Sequence, residues 1–145
     1  MTNETVVLTT TIDGEFEGFD GETLFALSDG SYWVQNEYKY WYHYAYCPRI
    51  QIIDSSGRYL IRVDGQSETV AVQQISGVIR SKINGEFKGW DGSSTYKLMN
   101  GQTWQQSAYK YKYKYSYMPE AIVYNPGGGY VMKVAGTSAK VRRIE

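Results

Sequence analysis

The chain contains a single histidine, His43, and a single thiol, Cys47. A thiol that is activated by an imidazole must lie within hydrogen-bond reach of it. In an extended strand, residues four positions apart share a face but stand about 13 Å from each other. A lone cysteine also excludes an intramolecular disulfide and leaves no zinc-site spacing. We therefore expect His43 to be a packing or interface residue, and we identify no catalytic residue and no metal ligand.

Carboxylates and glycines do not supply another reactive site. Glu15 and Glu17 lie on one face of a strand, but the matching positions in the second half of the chain hold Glu86 and Lys88. The glycines at 127–129 follow a proline and precede a strand, whereas a phosphate-binding loop leads into a helix. These patterns predict a non-catalytic protein that needs no cofactor.

Tyrosine occupies every second position in two stretches of the chain, which we call the tyrosine ladders. Because successive side chains of a β-strand point to opposite faces, each ladder places five phenols on one face. Nine residues in a strand extend about 30 Å, which is more than a small barrel can enclose. Two uses remain open: cross-strand packing, with some phenols in the core, and exposed aromatic area for a ligand or partner. The ladders consist of Tyr38, Tyr40, Tyr42, Tyr44 and Tyr46, and of Tyr109, Tyr111, Tyr113, Tyr115 and Tyr117.

The residues between the tyrosines differ between the two ladders. Trp41 and His43 alternate with tyrosines in the first ladder, where Lys112 and Lys114 stand in the second. A tryptophan on the outward face of a strand normally indicates that something covers it. We therefore expect Trp41 and His43 to face the other half of the chain, a second chain or a ligand.

The chain contains one unit twice. A shift of 71 residues superimposes the two ladders and, without a gap, matches 24 of the 63 positions from Ile12 to Gln74. Self-similarity at a fixed spacing indicates an internal repeat. We therefore divide the chain into two domains, residues 4–74 and 75–145.

Each copy shows short β-branched or alternating apolar stretches separated by turn residues, and no stretch has a helical period over three turns. The chain is therefore predicted to be all-β. Asp-Gly at 29–30 and Asn-Gly at 100–101 predict two-residue hairpins with type I′ turns. Trp33 then opens the return strand, which is expected to carry the ladder. Asp20 and Asp91, which precede glycines, are expected to be turn residues.

Five to six short strands in about 70 residues suit a small, nearly closed barrel. The aromatic-Asp-Gly turn, the Asn/Asp-Gly-x-x-Trp-x-Gln hairpin and the tyrosine ladder together resemble compact bacterial SH3-like β-barrel repeat proteins of unknown function. The resemblance covers both copies. It implies a tandem of two small SH3-like barrels related by pseudo-twofold symmetry, and it implies no activity. The alternative is a single β-sandwich built from both repeats, in which neither half folds alone.

Charge separates the two copies. Residues 1–74 contain four Lys or Arg and eleven Asp or Glu, a net charge of −7, and residues 75–145 contain eleven and four, a net charge of +7. Opposite fields on two related units favour docking within one chain or head-to-tail association between chains, and salt weakens both. The charge difference could also reflect a basic half that binds a polyanion. The simplest interpretation is that the surface charges of the two copies diverged without a functional reason.

The sequence predicts a binding or assembly module whose ligand it does not identify. We expect self-association or docking of the two repeats, with a protein or small-molecule ligand as a further partner and no membrane. The alternative is single-stranded nucleic acid binding by the second ladder, because rings can stack on bases while lysines hold phosphates. No signal peptide or long apolar stretch is visible, so we expect a soluble cytoplasmic protein. The predicted contact residues are Tyr40, Trp41, Tyr42, His43, Tyr44, Tyr111, Lys112, Tyr113, Lys114 and Tyr115.

Overall fold

The computed structural model describes residues 4–145, which form two compact units whose boundary in the chain lies between Ser76 and Gly77. Residues 4–145 contain no helix, which confirms the prediction of an all-β protein. The strands of the first unit are β1 (Glu4–Thr11), β2 (Glu15–Asp20), β3 (Leu24–Ala26), β4 (Tyr32–Gln35), β5 (Tyr40–Tyr46), β6 (Arg49–Ser55), β7 (Arg58–Val63) and β8 (Thr69–Ile75). Those of the second unit are β9 (Ile79–Lys82), β10 (Glu86–Phe87), β11 (Trp90–Asp91), β12 (Thr95–Lys97), β13 (Thr103–Gln106), β14 (Tyr111–Lys112), β15 (Ser116–Tyr117), β16 (Glu120–Tyr124), β17 (Tyr130–Val134) and β18 (Thr137–Arg143).

Both units contain a six-stranded antiparallel sheet with the same strand order. The order is β1-β6-β7-β8-β4-β3 in the first unit and β9-β16-β17-β18-β13-β12 in the second. An isolated bridge between Ile12 and Leu27 joins the ends of the two outer strands of the first sheet. Ile83 and Leu98 form the corresponding bridge in the second sheet. Each sheet is thus curled until its two edges meet at one point.

Each unit has its own hydrophobic cluster. Aliphatic residues that alternate along the central strands point into the curled sheet, because a strand places every second side chain on the same face. Burial of each such side chain stabilises the fold by about 1.5–3 kcal/mol. Each cluster draws all its members from its own unit. The first cluster consists of Ile12, Phe16, Phe19, Phe25, Leu27, Trp33, Ile50, Ile52, Ile61, Val63, Val70 and Val72. The second consists of Ile83, Phe87, Trp90, Leu98, Trp104, Ala121, Val123, Met132, Val134, Ala139 and Val141.

A two-stranded ribbon continues the antiparallel pair of β1 and β6 beyond a bend. At the bend, Cys47 has a φ of 48°, and its N–H donates to the carbonyl oxygen of Gly14 at 2.8 Å. Beyond the bend, β2 pairs antiparallel with β5, and Phe19 lies opposite Trp41. We call this strand pair the first ribbon. The second ribbon consists of the corresponding but shorter pairs β10–β15 and β11–β14.

The ladders do not continue the strands that carry the hairpin tryptophans, so that prediction is wrong. β4 carries Trp33 and ends at Gln35, and the ladder strand β5 begins only at Tyr40. The N–H of Asn36 still donates to the carbonyl oxygen of Ala71 on β8, and the chain then leaves the sheet as the side-chain amide of Gln35 donates to the carbonyl groups of Glu37 and Lys39. β13 and β14 are separated in the same way.

The β3–β4 hairpin has a different turn from the predicted type I′ turn. Gly30 has a φ of 89°, but Asp29 has no positive φ. The N–H of Gly30 donates to the carbonyl oxygen of Leu27 at 3.0 Å, and the N–H of Leu27 donates to that of Ser31 at 3.0 Å. This is the pattern of a type I turn followed by a glycine bulge. Only one residue with positive φ is needed there, so a single glycine suffices.

Candidate functional site

The ladder tyrosines form an exposed aromatic surface on each ribbon. Their exposed fractions run from 50% at Tyr115 to 85% at Tyr38 and Tyr109. The expectation that some of these phenols enter the core is therefore wrong. Alternation along β5 does hold, since tyrosines are exposed at every second position and the residues between them are half-buried. The rings of Phe16 and Phe19 on β2 already fill the inner side of the ribbon, which leaves the phenols outside.

Trp41 lies on the inner face of the first ribbon, against the core of its own unit. Its ring centroid is 5.1 Å from that of Phe19 and 6.4 Å from that of Phe16. His43 stacks on Trp41 at 4.9 Å with an interplanar angle of 3°. Trp41 and His43 thus have ring contacts within their own ribbon and core, and the expectation that they also face another unit, a second chain or a ligand stays a prediction. The most exposed surface of the ribbon is the tyrosine face.

We expect Trp41→Ala to destabilise the first unit by about 2 kcal/mol, which is below the cost of truncating a fully buried tryptophan because this ring is half-exposed. His43→Ala should cost about 0.5 kcal/mol, since His43 touches the outer side of the indole. Urea unfolding followed by far-UV circular dichroism measures both values. If Trp41→Ala unfolded at the same urea concentration as the wild type, the packing of Trp41 on the core would not stabilise the first unit.

The second ribbon lacks this aromatic cover and is less regular. Lys112 stands at the position of Trp41, opposite Trp90, and both Lys112 and Lys114 are exposed. The ladder is not one continuous strand here, since residues 113–115 lie outside β14 and β15. A lysine at these positions keeps its ammonium group in water, so the inner face of the second ribbon gains less from packing on the core than the first.

A buried glutamine joins the two strands at one end of each ribbon. The side-chain oxygen of Gln35 accepts a hydrogen bond from the N–H of Gly21 at 3.0 Å and lies 2.9 Å from the hydroxyl oxygen of Thr23. Its side-chain N–H groups donate to the carbonyl oxygens of Glu37 and Lys39. The turn that ends β2 is thereby tied to the turn that precedes β5. The sequence shows that the Trp-x-Gln pattern is repeated, but it does not indicate that the glutamine makes these hydrogen bonds.

Gln106 makes the corresponding bonds in the second unit. Its oxygen accepts from the N–H of Gly92 at 2.9 Å, and its N–H groups donate to the carbonyl oxygens of Ala108 at 3.0 Å and Lys110 at 2.9 Å. Gln106 is 4% exposed. The amide therefore sets the point at which the second ladder leaves the sheet.

The aspartates before the ribbon glycines are turn residues, as predicted. Asp20 accepts hydrogen bonds from the N–H of Glu22 and the hydroxyl of Thr23, each at 2.9 Å. Asp91 accepts the corresponding bonds from Ser93 and Ser94. The bond from the Ser93 N–H, followed by that from the Ser94 hydroxyl, lowers the pKa of Asp91 because both stabilise the carboxylate.

A glutamate lies beside the phenols on both ribbons. The hydroxyl of Tyr44 donates to Glu15 at 3.4 Å, and that of Tyr115 donates to Glu86 at 3.2 Å. The charge of Glu15 raises the pKa of Tyr44, because a nearby carboxylate disfavours the phenolate. Desolvation, followed by the charge of Glu86, raises the pKa of Tyr115. No sequence pattern indicated these pairs, since they depend on the register between strands 29 residues apart.

A cleft adjoins the start of the second ladder. It has a volume of about 350 Å³, and Gln105, Ser107, Tyr109 and Arg142 are among its lining residues. A side chain at Gly92 would lie 3.3 Å from the ring of Tyr109, so the glycine lets the ring rest on the backbone. The cleft thus presents a phenol and a guanidinium together, which strict alternation along the ladder alone does not.

The first unit carries different residues at the positions of this cleft. Glu22 and Glu37 stand where the second unit has Ser93 and Ala108. Gln73, which pairs with Val34 as Arg142 pairs with Gln105, stands in place of Arg142. The first ladder therefore starts beside acidic residues, whereas the second ladder starts beside a cation.

The described residues do not bring together a group of side chains suited to metal binding or thiol catalysis. No group of three or more His, Cys, Asp or Glu side chains in residues 4–145 could hold a metal ion. Cys47 is exposed at the ribbon bend, and His43 lies against Trp41. In the same residues, no helix has the length and apolar character needed to cross a membrane.

Comparison of the chain with protein-family models, curated proteins and solved structures gave no match. A proposal about function must therefore rest on the geometry of the two ribbons.

Proposed function

We propose that the chain is a non-catalytic binding and assembly module whose contact surfaces are the outer tyrosine faces of its two ribbons. The supporting observation is that all ten ladder tyrosines are at least half-exposed. Folded proteins rarely leave a contiguous aromatic patch of this kind in water unless a partner covers it. Tyrosine suits such a role, because its ring offers a large contact area with few rotatable bonds and its hydroxyl stays hydrated before binding.

The comparison of the two copies supports the same proposal. The copies differ in the sign of their net charge and in the residues on the inner face of the ribbon, yet each ladder tyrosine is present in both. An exposed side chain contributes little to folding stability, so its presence in both copies is better explained by contact with a partner. Glu15 and Glu86, which lie beside the phenols, are also present in both.

The shape of the faces suits an elongated partner. Alternate residues of an extended strand are about 7 Å apart, so the first ladder offers a row of evenly spaced rings along β5. The carboxylates beside the rings favour a partner that carries positive charge, since aromatic faces and carboxylates both attract cations.

We expect the chain to bind an oligolysine peptide, with weaker or no binding of a neutral β-glucan oligosaccharide. Replacing Tyr40, Tyr42 and Tyr44 together by serine should weaken this binding about tenfold or more, because interface tyrosines contribute on the order of 1 kcal/mol each. Fluorescence titration at low salt measures the affinities. Tyr59→Ser is the matched control, since Tyr59 is an exposed tyrosine outside the ladders. Equal affinities for the triple variant and the wild type would contradict the proposal.

Single-stranded nucleic acid is a second candidate partner, which the cleft at Tyr109 and Arg142 favours. A base stacked on the phenol would place its phosphate within reach of a cation. An oligothymidylate added to the same titration decides this point. Binding that falls steeply with salt and is lost in Arg142→Gln would support nucleic acid, whereas no binding at low salt would eliminate it.

A further inference from the structure

We propose that the tyrosine face of the first ribbon binds the lysines of the second ribbon in another copy of the chain, so that copies associate head to tail. This inference rests on the proposed function, since it names the partner of one ladder face. The binding face is the outer surface formed by Tyr40, Tyr42, Tyr44, Glu15 and Glu17. Its partner is the pair Lys112 and Lys114, which we call the lysine pair.

The binding face combines the two groups that attract an ammonium ion. Tyr42 is 78% exposed and Tyr44 is 52% exposed, so their ring faces are open to a ligand. Glu15 lies at the hydroxyl of Tyr44, and Glu17 is exposed on the same ribbon. Glu15 lies opposite Tyr46 in the pairing of β2 with β5, so its carboxylate is on the side of the phenols. The charge of Glu15, and to a smaller extent that of Glu17, raises the pKa of Tyr44. A lysine here gains an aromatic contact and a carboxylate at once.

The lysine pair is available for such a contact. Lys112 and Lys114 are exposed, and neither makes a side-chain hydrogen bond or ion pair with other residues in the range 4–145. Two neighbouring lysines differ in this respect. The ammonium of Lys110 donates to the carbonyl oxygen of Ser138 at 2.6 Å, and that of Lys88 lies 3.5 Å from Glu86. The lysine pair therefore carries the uncommitted cations of the second ribbon.

Spacing and long-range charge both match. Lys112 and Lys114 are two residues apart in the sequence, as are Tyr42 and Tyr44, and in the strand β5 this separation corresponds to about 7 Å. The unit that carries the binding face has a net charge of −7, and the unit that carries the lysine pair has +7. Opposite fields of this size steer two copies into a head-to-tail arrangement. Such a contact is heterologous, so it produces open chains or closed rings.

Sedimentation velocity on the full chain tests this inference. We expect the wild type to associate in a concentration-dependent manner at low salt and to dissociate at high salt. Lys112→Glu with Lys114→Glu should be monomeric, and so should Glu15→Lys with Glu17→Lys. A mixture of these two variants should associate again, because each supplies the charge that the other has lost. A wild type that stays monomeric at every concentration, or a mixture that stays monomeric, would overturn the inference.

Two controls separate a specific contact from a general effect of charge. Lys97→Glu with Lys140→Glu makes the same change in net charge at exposed positions outside the ladder. This variant should lose far less association than the lysine-pair variant, and an equal loss would overturn the inference. Oligomers that dissolve on nuclease treatment would instead assign the lysine pair to nucleic acid. Oligolysine binding to the tyrosine face is measured separately, so the proposed function can stand if self-association fails.

Discussion

Gly18→Ala is expected to detach the two strands of the first ribbon, whereas Gly14→Ala should leave them paired. Both glycines have positive φ, 101° at Gly18 and 106° at Gly14, so alanine is strained at either position. A Cβ atom on Gly18 would lie 1.8 Å from the carbonyl oxygen of Trp41, while one on Gly14 meets nothing within 4 Å. The comparison therefore isolates the contact with β5 from the backbone strain.

We expect Gly14→Ala to cost about 1–2 kcal/mol, the usual cost of a side chain in the left-handed region. Gly18→Ala should cost about 4 kcal/mol or more, because the main chain of Trp41 can move only if the ring leaves the core. Urea unfolding gives the energies, and acrylamide quenching of tryptophan fluorescence should rise for Gly18→Ala alone. Equal losses for the two variants would show that the strands do not approach each other as closely as described.

The second unit repeats this comparison. A Cβ atom on Gly89 would lie 1.9 Å from the carbonyl oxygen of Lys112, and one on Gly85 meets nothing within 4 Å. Because the second ribbon lacks a tryptophan on its inner face, Gly89→Ala should destabilise its unit less than Gly18→Ala does. The difference reflects how much the indole holds the first ribbon on its core.

Period-two alternation predicted which ladder residues share a face, but not which face is buried. Tyr42 and Tyr44 were correctly placed together, yet their exposure is decided by Phe16 and Phe19 on the paired strand. Those rings fill the inner side and lead Trp41 to pack with them. Which face of the ladder strand is buried thus depends on its pairing with β2, and the ladder sequence alone does not predict that pairing.

Turn chemistry was predictable in position and less so in geometry. The residues at 29–30 do form a hairpin turn, but a type I turn with a glycine bulge replaces the type I′ form. Positive φ at two adjacent residues occurs instead at Ser56-Gly57 and Ala135-Gly136, between β6 and β7 and between β17 and β18. The two-residue loop length forces this conformation, even though serine and alanine do not favour it.

The remaining contact residues depend on tertiary structure. Glu15 reaches Tyr44 because of the register of the first ribbon, and Arg142 reaches the cleft at Tyr109 because β18 lies beside β13. Neither proximity has a local signature. The sequence did indicate the charge difference between the two units. That difference is the basis for proposing a cationic partner for Glu15 and Tyr44 and an anionic partner for Arg142.

Gln106→Leu is expected to release the second ladder from its sheet. Leucine fills a similar volume but leaves the Gly92 N–H and the carbonyl oxygens of Ala108 and Lys110 without their partner. A buried polar group that loses its hydrogen bond costs about 1–3 kcal/mol, and water reaches part of this site, so we expect a total loss of about 3 kcal/mol. The Gly92 amide should also exchange its hydrogen faster.

Gln105→Leu is the matched control, one residue away on the same strand. Its side-chain oxygen accepts hydrogen bonds from Arg142 at 2.8 and 3.3 Å on the exposed side of the sheet, where water can replace it. We expect a change within about 0.5 kcal/mol and no change in exchange at Gly92. If both variants lost the same stability, or if the Gly92 amide stayed protected in Gln106→Leu, the buried amide would not be what holds the ribbon. The tyrosine face would then be fixed by the aromatic core and the ribbon glycines alone.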